Sequence, residues 1–163
     1  MSARPNVYEP RFDGDLERPG FTHRGARLGD QAGSERLGVS LYEVEPGQAT
    51  FPYHWHAGNE EMLLVLRGSV AVRGPDGWRE VGEGEVIAFE RGERGAHQVL
   101  NRSARPARFL MFSEMRRPEV VVYPDSGKVG ARERAPGREG LRLNFRAEDA
   151  IDYWEGEEPP ASP

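Results

Sequence analysis

Gly47-Gln-Ala-Thr-Phe-Pro-Tyr-His54-Trp-His56-Ala-Gly-Asn-Glu60-Glu61-Met-Leu-Leu-Val-Leu-Arg67-Gly68 is the stretch on which the fold turns. His54 and His56 stand two apart, and on an extended chain that spacing puts both imidazoles on one face with Cα atoms roughly 6 to 7 Å apart. Two rings so placed can lean toward one ion, because ligand bonds of about 2 Å require a common point of convergence. Ala57-Gly58-Asn59 then reverses the chain. The next run, Glu61 to Arg67 (EMLLVLR), opens on an acid and is apolar on both faces, as expected of a strand sandwiched between layers. With Glu61 facing inward, Leu63 and Val65 share its side, so the carboxylate sits at the rim of an apolar interior.

The same period of two extends outward in both directions. Leu37, Val39 and Leu41 alternate with Gly38, Ser40 and Tyr42, then stop at the turn Glu45-Pro46-Gly47; Thr50 to His56 is a second extended segment. Ser69–Arg73 and Trp78–Val81 flank Gly74-Pro75-Asp76-Gly77, the clearest hairpin signal in the chain. Glu85–Phe89, Ala96–Asn101, Ala107–Ser113 and Glu119–Tyr123 continue as short strands between turn residues. About nine strands at this spacing, with no long helix and no internal repeat, predict an all-β fold made of a single barrel or sandwich. Residues 1–34 are expected to form an irregular N-terminal arm with one short edge strand, 35–123 the barrel, and 124–163 a loop and tail docking on the barrel or on a partner. Within that tail Pro124 to Gly140 reads as a loop, Ile151, Tyr153 and Trp154 as docking residues, and Gly156 to Pro163 as a fraying end.

Composition narrows the chemistry. The 163 residues suit one domain, and the absence of cysteine excludes disulfides, thiolate metal sites and a cysteine nucleophile, so any metal must be held by His, Asp and Glu. The net charge of −5, with both signs interspersed, offers no basic stripe for a phosphate backbone, and nucleic acid is not an expected partner. Apolar runs are only a few residues long and Met1 to Pro10 has no apolar core, so a cytoplasmic protein without a membrane partner is expected. His23, in the arm, reads as a structural histidine.

A fourth ligand type is available at His97, whose same-face neighbours are Val99 and Asn101. Three neutral imidazoles and one carboxylate leave a divalent ion positively charged with open coordination positions, which makes it a Lewis acid. Gly47, His54-x-His56, Glu61 and Gly68 resemble the first motif of the cupin superfamily, with a leading gap one residue longer than the usual consensus. Gly84 through Gly92 to His97 and Asn101 is similar to the second motif, except that Glu90 stands where Pro is usual and four residues instead of two separate Gly92 from His97. Some cupins carry the acidic ligand one position earlier, which here is Glu60; the six-residue gap to Gly68 favours Glu61.

The resemblance implies a cupin-type β-barrel, a double-stranded β-helix or jelly roll, holding one divalent metal ion (Fe, Mn, Ni or Zn) through His54, His56, Glu61 and His97, and frequently a homodimer. The closing pattern, including Asp152-Tyr-Trp-Glu-Gly-Glu157, is similar to small stand-alone bacterial cupins. Two functions are compatible with this set. In one, the chain is a metalloenzyme acting on a small carbonyl or hydroxyl compound, with oxygenase-like or isomerase-like chemistry and Glu60 as the spare acid near the ion. In the other, the barrel binds or senses a small molecule without turning it over.

Overall fold

The computed structural model describes residues 4–133 and 139–160. Part of the expected Pro124–Gly140 loop, residues 134–138, and the last residues of the expected fraying end, 161–163, lie outside the described residues. The strands in chain order are β1 (Leu16–Arg18), β2 (Phe21–Ala26), β3 (Gly38–Val44), β4 (Trp55–His56), β5 (Glu61–Arg67), β6 (Ser69–Gly74), β7 (Gly77–Gly82), β8 (Val86–Phe89), β9 (Gln98–Leu100), β10 (Ala107–Ser113), β11 (Glu119–Tyr123), β12 (Lys128–Arg132) and β13 (Arg142–Arg146). One short helix, α1 (Leu28–Ala32), follows β2. No helix is long and apolar enough to cross a membrane.

All pairings are antiparallel. One sheet has the order β1-β2-β3-β10-β5-β8; a second runs β13-β12-β11-β4 and a third β7-β6-β9. The last two join through the segment before β4: His54 and His97 form a bridge with reciprocal backbone hydrogen bonds of 3.1 and 2.8 Å, and Ala49 bridges Leu100. The result is two facing antiparallel sheets, the jelly-roll form of a cupin barrel. The expected extended segment Thr50 to His56 bends at Thr50, Phe51 and Tyr53 and pairs regularly only from His54 onward, and Pro52 has no N–H to give to a ladder.

The EMLLVLR run behaves as its two apolar faces require. Leu63 and Val65 point inward to a core with Val44, Val72, Phe89 and Phe109, while Leu64 and Leu66 pack outward against Ala26, Leu28, Leu41 and Leu110. That outer layer is made by the N-terminal segment, which forms a β-hairpin and a helix where one edge strand was expected. Its pairing comes from Leu16↔His23 and Ala26↔Leu41 registers that no alternation in the sequence announces. The expected loop after Tyr123 likewise contains β12, paired along its length to β11. Ile151, Tyr153 and Trp154 are exposed.

Asn101 fastens the bottom of the barrel. It is fully buried, its side-chain amide donates to the carbonyls of Val44 and Arg105 at 2.8 Å each, and its Oδ1 accepts from Ser103 N–H at 2.9 Å and Ser103 Oγ at 2.8 Å. Asn101→Ala leaves these buried partners unsatisfied and is expected to cost about 3 kcal/mol. Chemical denaturation with an unchanged slope checks it; a loss under about 1 kcal/mol contradicts it.

Candidate functional site

Four short stretches bring the expected ligands to one end of the barrel interior. The bridge at His54 and the β11 pairing at His56 fix the first two. Glu61 is the first residue of β5, held between β10 and β8 opposite Ser113 and Phe89. The wide turn before His97 is a single 3₁₀ turn over Glu93–Gly95. Gly95 passes so close to Glu90 that any side chain there would overlap the Glu90 carbonyl, which is how a longer connection still returns His97 to the site.

The donor atoms of His54, His56 and Glu61 all lie within 4.8 Å of one another. Glu61 Oε2 is 3.4 Å from His56 Nε2 and 3.3 Å from His97 Nε2, so His97 joins the group through Glu61. His56 and His97 are the widest pair, with ring centroids 6.3 Å apart against 5.0 Å for His54–His56 and 4.7 Å for His54–His97. Donors about 2.1 Å from a shared ion stand about 3.0 to 3.4 Å apart in octahedral or tetrahedral arrangements, which the two Glu61 contacts match.

The far side of each ring decides the tautomer. His54 Nδ1 donates to the Pro52 carbonyl at 2.8 Å and His97 Nδ1 to the Gly95 carbonyl at 2.9 Å, which leaves both Nε2 lone pairs free to coordinate. His56 Nδ1 faces Glu119 Oε1 at 3.8 Å. Glu119 is 1% exposed, also receives the Gly58 N–H at 3.2 Å, and has Arg117 Nη1 at 3.8 Å. This buried carboxylate behind His56 was not anticipated; the signal for it is its parity with inward Val121 on β11. The donor set is therefore oxygen and nitrogen, oriented from behind, and fits a divalent metal ion.

Electrostatics without an ion show how much charge is concentrated here. Burial pushes His54 down to about 3, helped by the charges of His97 and His56. Burial also opposes protonation of His56, but the Glu119 and Glu61 carboxylates, 3.8 and 3.4 Å from its ring nitrogens, overcome it and raise the group to about 9. Glu61 is desolvated, yet His56 and His97 hold its carboxyl well below the usual carboxylate range. A proton on His56 thus stands in for part of the charge a metal would bring.

A cavity of about 250 Å³ opens over these donors. Tyr42, Phe51, Phe109, Met111, Val121 and Tyr123 form most of its wall, and among the described residues no Lys, no Arg and no carboxylate except Glu61 lines it. Glu60, the spare acid expected near the ion, is exposed at the entry to β5, with its backbone N–H on Glu114 Oε2 at 3.2 Å, and is not part of the cavity wall.

Residues 40–113 match the family model of the cupin domain. The chain is a small cupin-domain protein. Among solved structures this cupin is similar to a candidate sugar phosphate isomerase from Acidithiobacillus ferrooxidans, with 25% identity over 82% of each chain and a TM-score of 0.74. A sugar phosphate isomerase of the cupin superfamily from Silicibacter pomeroyi shares 29% identity over 78% of each chain at a TM-score of 0.70. The polyketide cyclase RemF from Streptomyces resistomycificus shares 28% identity over 72% of this chain and 82% of its own, at a TM-score of 0.58. No curated protein matches the chain.

Proposed function

We propose that this cupin is a metal-dependent, isomerase-like enzyme acting on a small carbonyl compound, with one divalent ion held by His54, His56, Glu61 and His97. The observation that carries the reading is the convergence of imidazole Nε2 atoms and one carboxylate at the floor of an apolar cavity. A bound divalent ion supplies Lewis acidity, which polarises a carbonyl and lowers the cost of removing a neighbouring proton. Tyr42 contributes from the wall: burial pushes its hydroxyl up to about 12, so it stays protonated at neutral pH and can donate to a substrate oxygen. The isomerase and cyclase relatives favour this chemistry over the oxygenase-like alternative.

One observation supports the second reading, a non-catalytic binding or sensing protein: the cavity wall offers no carboxylate base beyond the candidate ligand Glu61. Mn(II)-loaded protein incubated with small ketones and hydroxyketones in deuterated water separates the two. Deuterium entering beside the carbonyl, and ceasing in Glu61→Gln, is the expected result. Ligand binding without exchange favours the binder, and oxygen uptake under the same conditions favours the oxygenase.

We also propose that the protein is cytoplasmic and a homodimer; the dimer is supported by the outer face of the β13-β12-β11-β4 sheet. His56 and Val121 take the inward parity, so Trp55, Val122, Val129 and Phe145 form one outward row, and Val120, Ala131 and Leu143 the next. Val120, Leu143 and Phe145 are exposed, an apolar sheet face of the kind that packs on a symmetric copy. Leu143→Glu with Phe145→Glu is expected to halve the mass measured by analytical ultracentrifugation without altering metal content. A wild-type protein that sediments as a monomer contradicts the assignment.

A further inference from the structure

A second cavity, of about 400 Å³, adjoins the first, and Tyr42 and Phe51 line both. Its remaining wall comes from the N-terminal hairpin and α1, from Gly38 to Ser40 of β3, from Met115 and from Arg142 at the start of β13. His23 stands in that wall, 4% exposed, with its ring edge-on to Tyr42 and Phe51 at 5.0 Å each. Its Nδ1 is buried and has no hydrogen-bond partner. Leaving a buried polar atom of this kind bare costs about 1 to 3 kcal/mol, so a water or a ligand hydroxyl that reaches it is favoured. Burial lowers the pKa of the ring and keeps it neutral although Asp15 and the Thr50 backbone act the other way, and the unpartnered Nδ1 is the atom left for a ligand.

The charges around His23 decide what kind of partner fits. Asp15 and Asp30 line the cavity together with Arg27 and Arg142, so its formal charges balance. Arg27 is already engaged by Asp13 at 3.7 Å, and Asp15 Oδ1 accepts the Gly25 N–H at 3.0 Å. A phosphate would meet two carboxylates, and an ammonium would meet two guanidinium groups. Uncharged hydroxyls can pair with both kinds of group, donating to a carboxylate and accepting from a guanidinium, with Ser40 adding a hydroxyl and the Tyr42 and Phe51 rings offering flat surfaces to C–H groups.

We propose that this second cavity, walled by His23, Ser40, Asp15 and Arg142, is a subsite for an uncharged polyhydroxyl group. Resting on the proposed carbonyl chemistry, it would take the hydroxylated part of a ligand whose carbonyl lies in the adjoining metal cavity. At about 250 Å³ the first cavity alone falls below the usual range for ligand pockets, and the two together fall within it.

Ribitol, a polyol without a carbonyl or a charge, is the probe, and its binding is read by saturation-transfer NMR on metal-free and metal-loaded protein. The expected result is binding in both forms, weakened about tenfold by Arg142→Gln and by His23→Phe with metal content unchanged. Arg142 lies at the exposed rim, so its variant keeps the test valid even if His23→Phe disturbs the core. Absence of ribitol binding overturns the subsite, as does wild-type affinity in Arg142→Gln. Tighter binding of ribitol 5-phosphate than of ribitol overturns the uncharged class. Because ribitol needs neither metal nor exchange chemistry, these outcomes are independent of whether the enzymatic reading survives.

Discussion

His54→Ala combined with His56→Ala is expected to take the metal content of the purified, tag-free protein from about one ion per chain to near none while the barrel stays folded. Two of the four donors vanish, and the remaining pair, Glu61 at the start of β5 and His97 just before β9, lie 3.3 Å apart and cannot enclose an ion alone. The backbone of the segment is secured independently of the rings, by the His54–His97 bridge and by Ala57 N–H on the Val120 carbonyl at 2.9 Å. Elemental analysis beside circular dichroism checks both halves of the expectation. Glu60→Gln is the control and is expected to keep the metal, since Glu60 faces solvent. Unchanged metal in the double variant removes the proposed site.

Acidity is expected to have the second largest effect. In the metal-free protein His56 titrates at about 9, so at neutral pH an incoming ion must displace a proton from it. Apparent metal affinity therefore rises about tenfold per pH unit between about 6.5 and 9, some 300-fold in all, and flattens above. The metal-free stability curve follows from the same groups. His56 has a folded pKa above its unfolded value near 6.5, so its contribution is complete below that pH and is lost as pH rises toward 9. His54, pushed down to about 3, acts oppositely: its contribution is complete above about 6.5 and is lost as pH falls toward 3. A chelator-treated sample is expected to melt highest near pH 6.5, and metal titrations at several pH values give the slope. A pH-independent affinity contradicts a site built mainly on imidazole.

Much of this architecture is written in local patterns, and the exceptions have identifiable causes. The EMLLVLR run, the Pro75-Asp76 hairpin and the Ala107–Ser113 and Glu119–Tyr123 strands are legible because alternation and turn chemistry agree. Glu61 is legible from its distance to Gly68. The strand β13 alternates just as clearly, through Leu141, Leu143 and Phe145, but its apolar side faces out, so the usual equation of apolar with core misplaces it. In β12 the interior Gly130 hides the strand; Arg132 folds its guanidinium over that glycine, space that a side chain would fill. The N-terminal hairpin carries almost no pattern, and its position follows from long-range pairing to β3. Glu119 is hardest of all, because its parity with Val121 marks it as inward but its role appears only when His56, from a distant stretch, is seen beside it.

X-ray absorption spectroscopy of the metal-loaded protein addresses the centre directly, since it reports the type and number of atoms around the ion. The expected spectrum shows only nitrogen and oxygen neighbours at about 2.0 to 2.2 Å, with the outer-shell pattern of three imidazole rings that falls to two in His97→Ala. A spectrum with one imidazole or none, or one unaltered in His97→Ala, contradicts a metal centre built from His54, His56, Glu61 and His97.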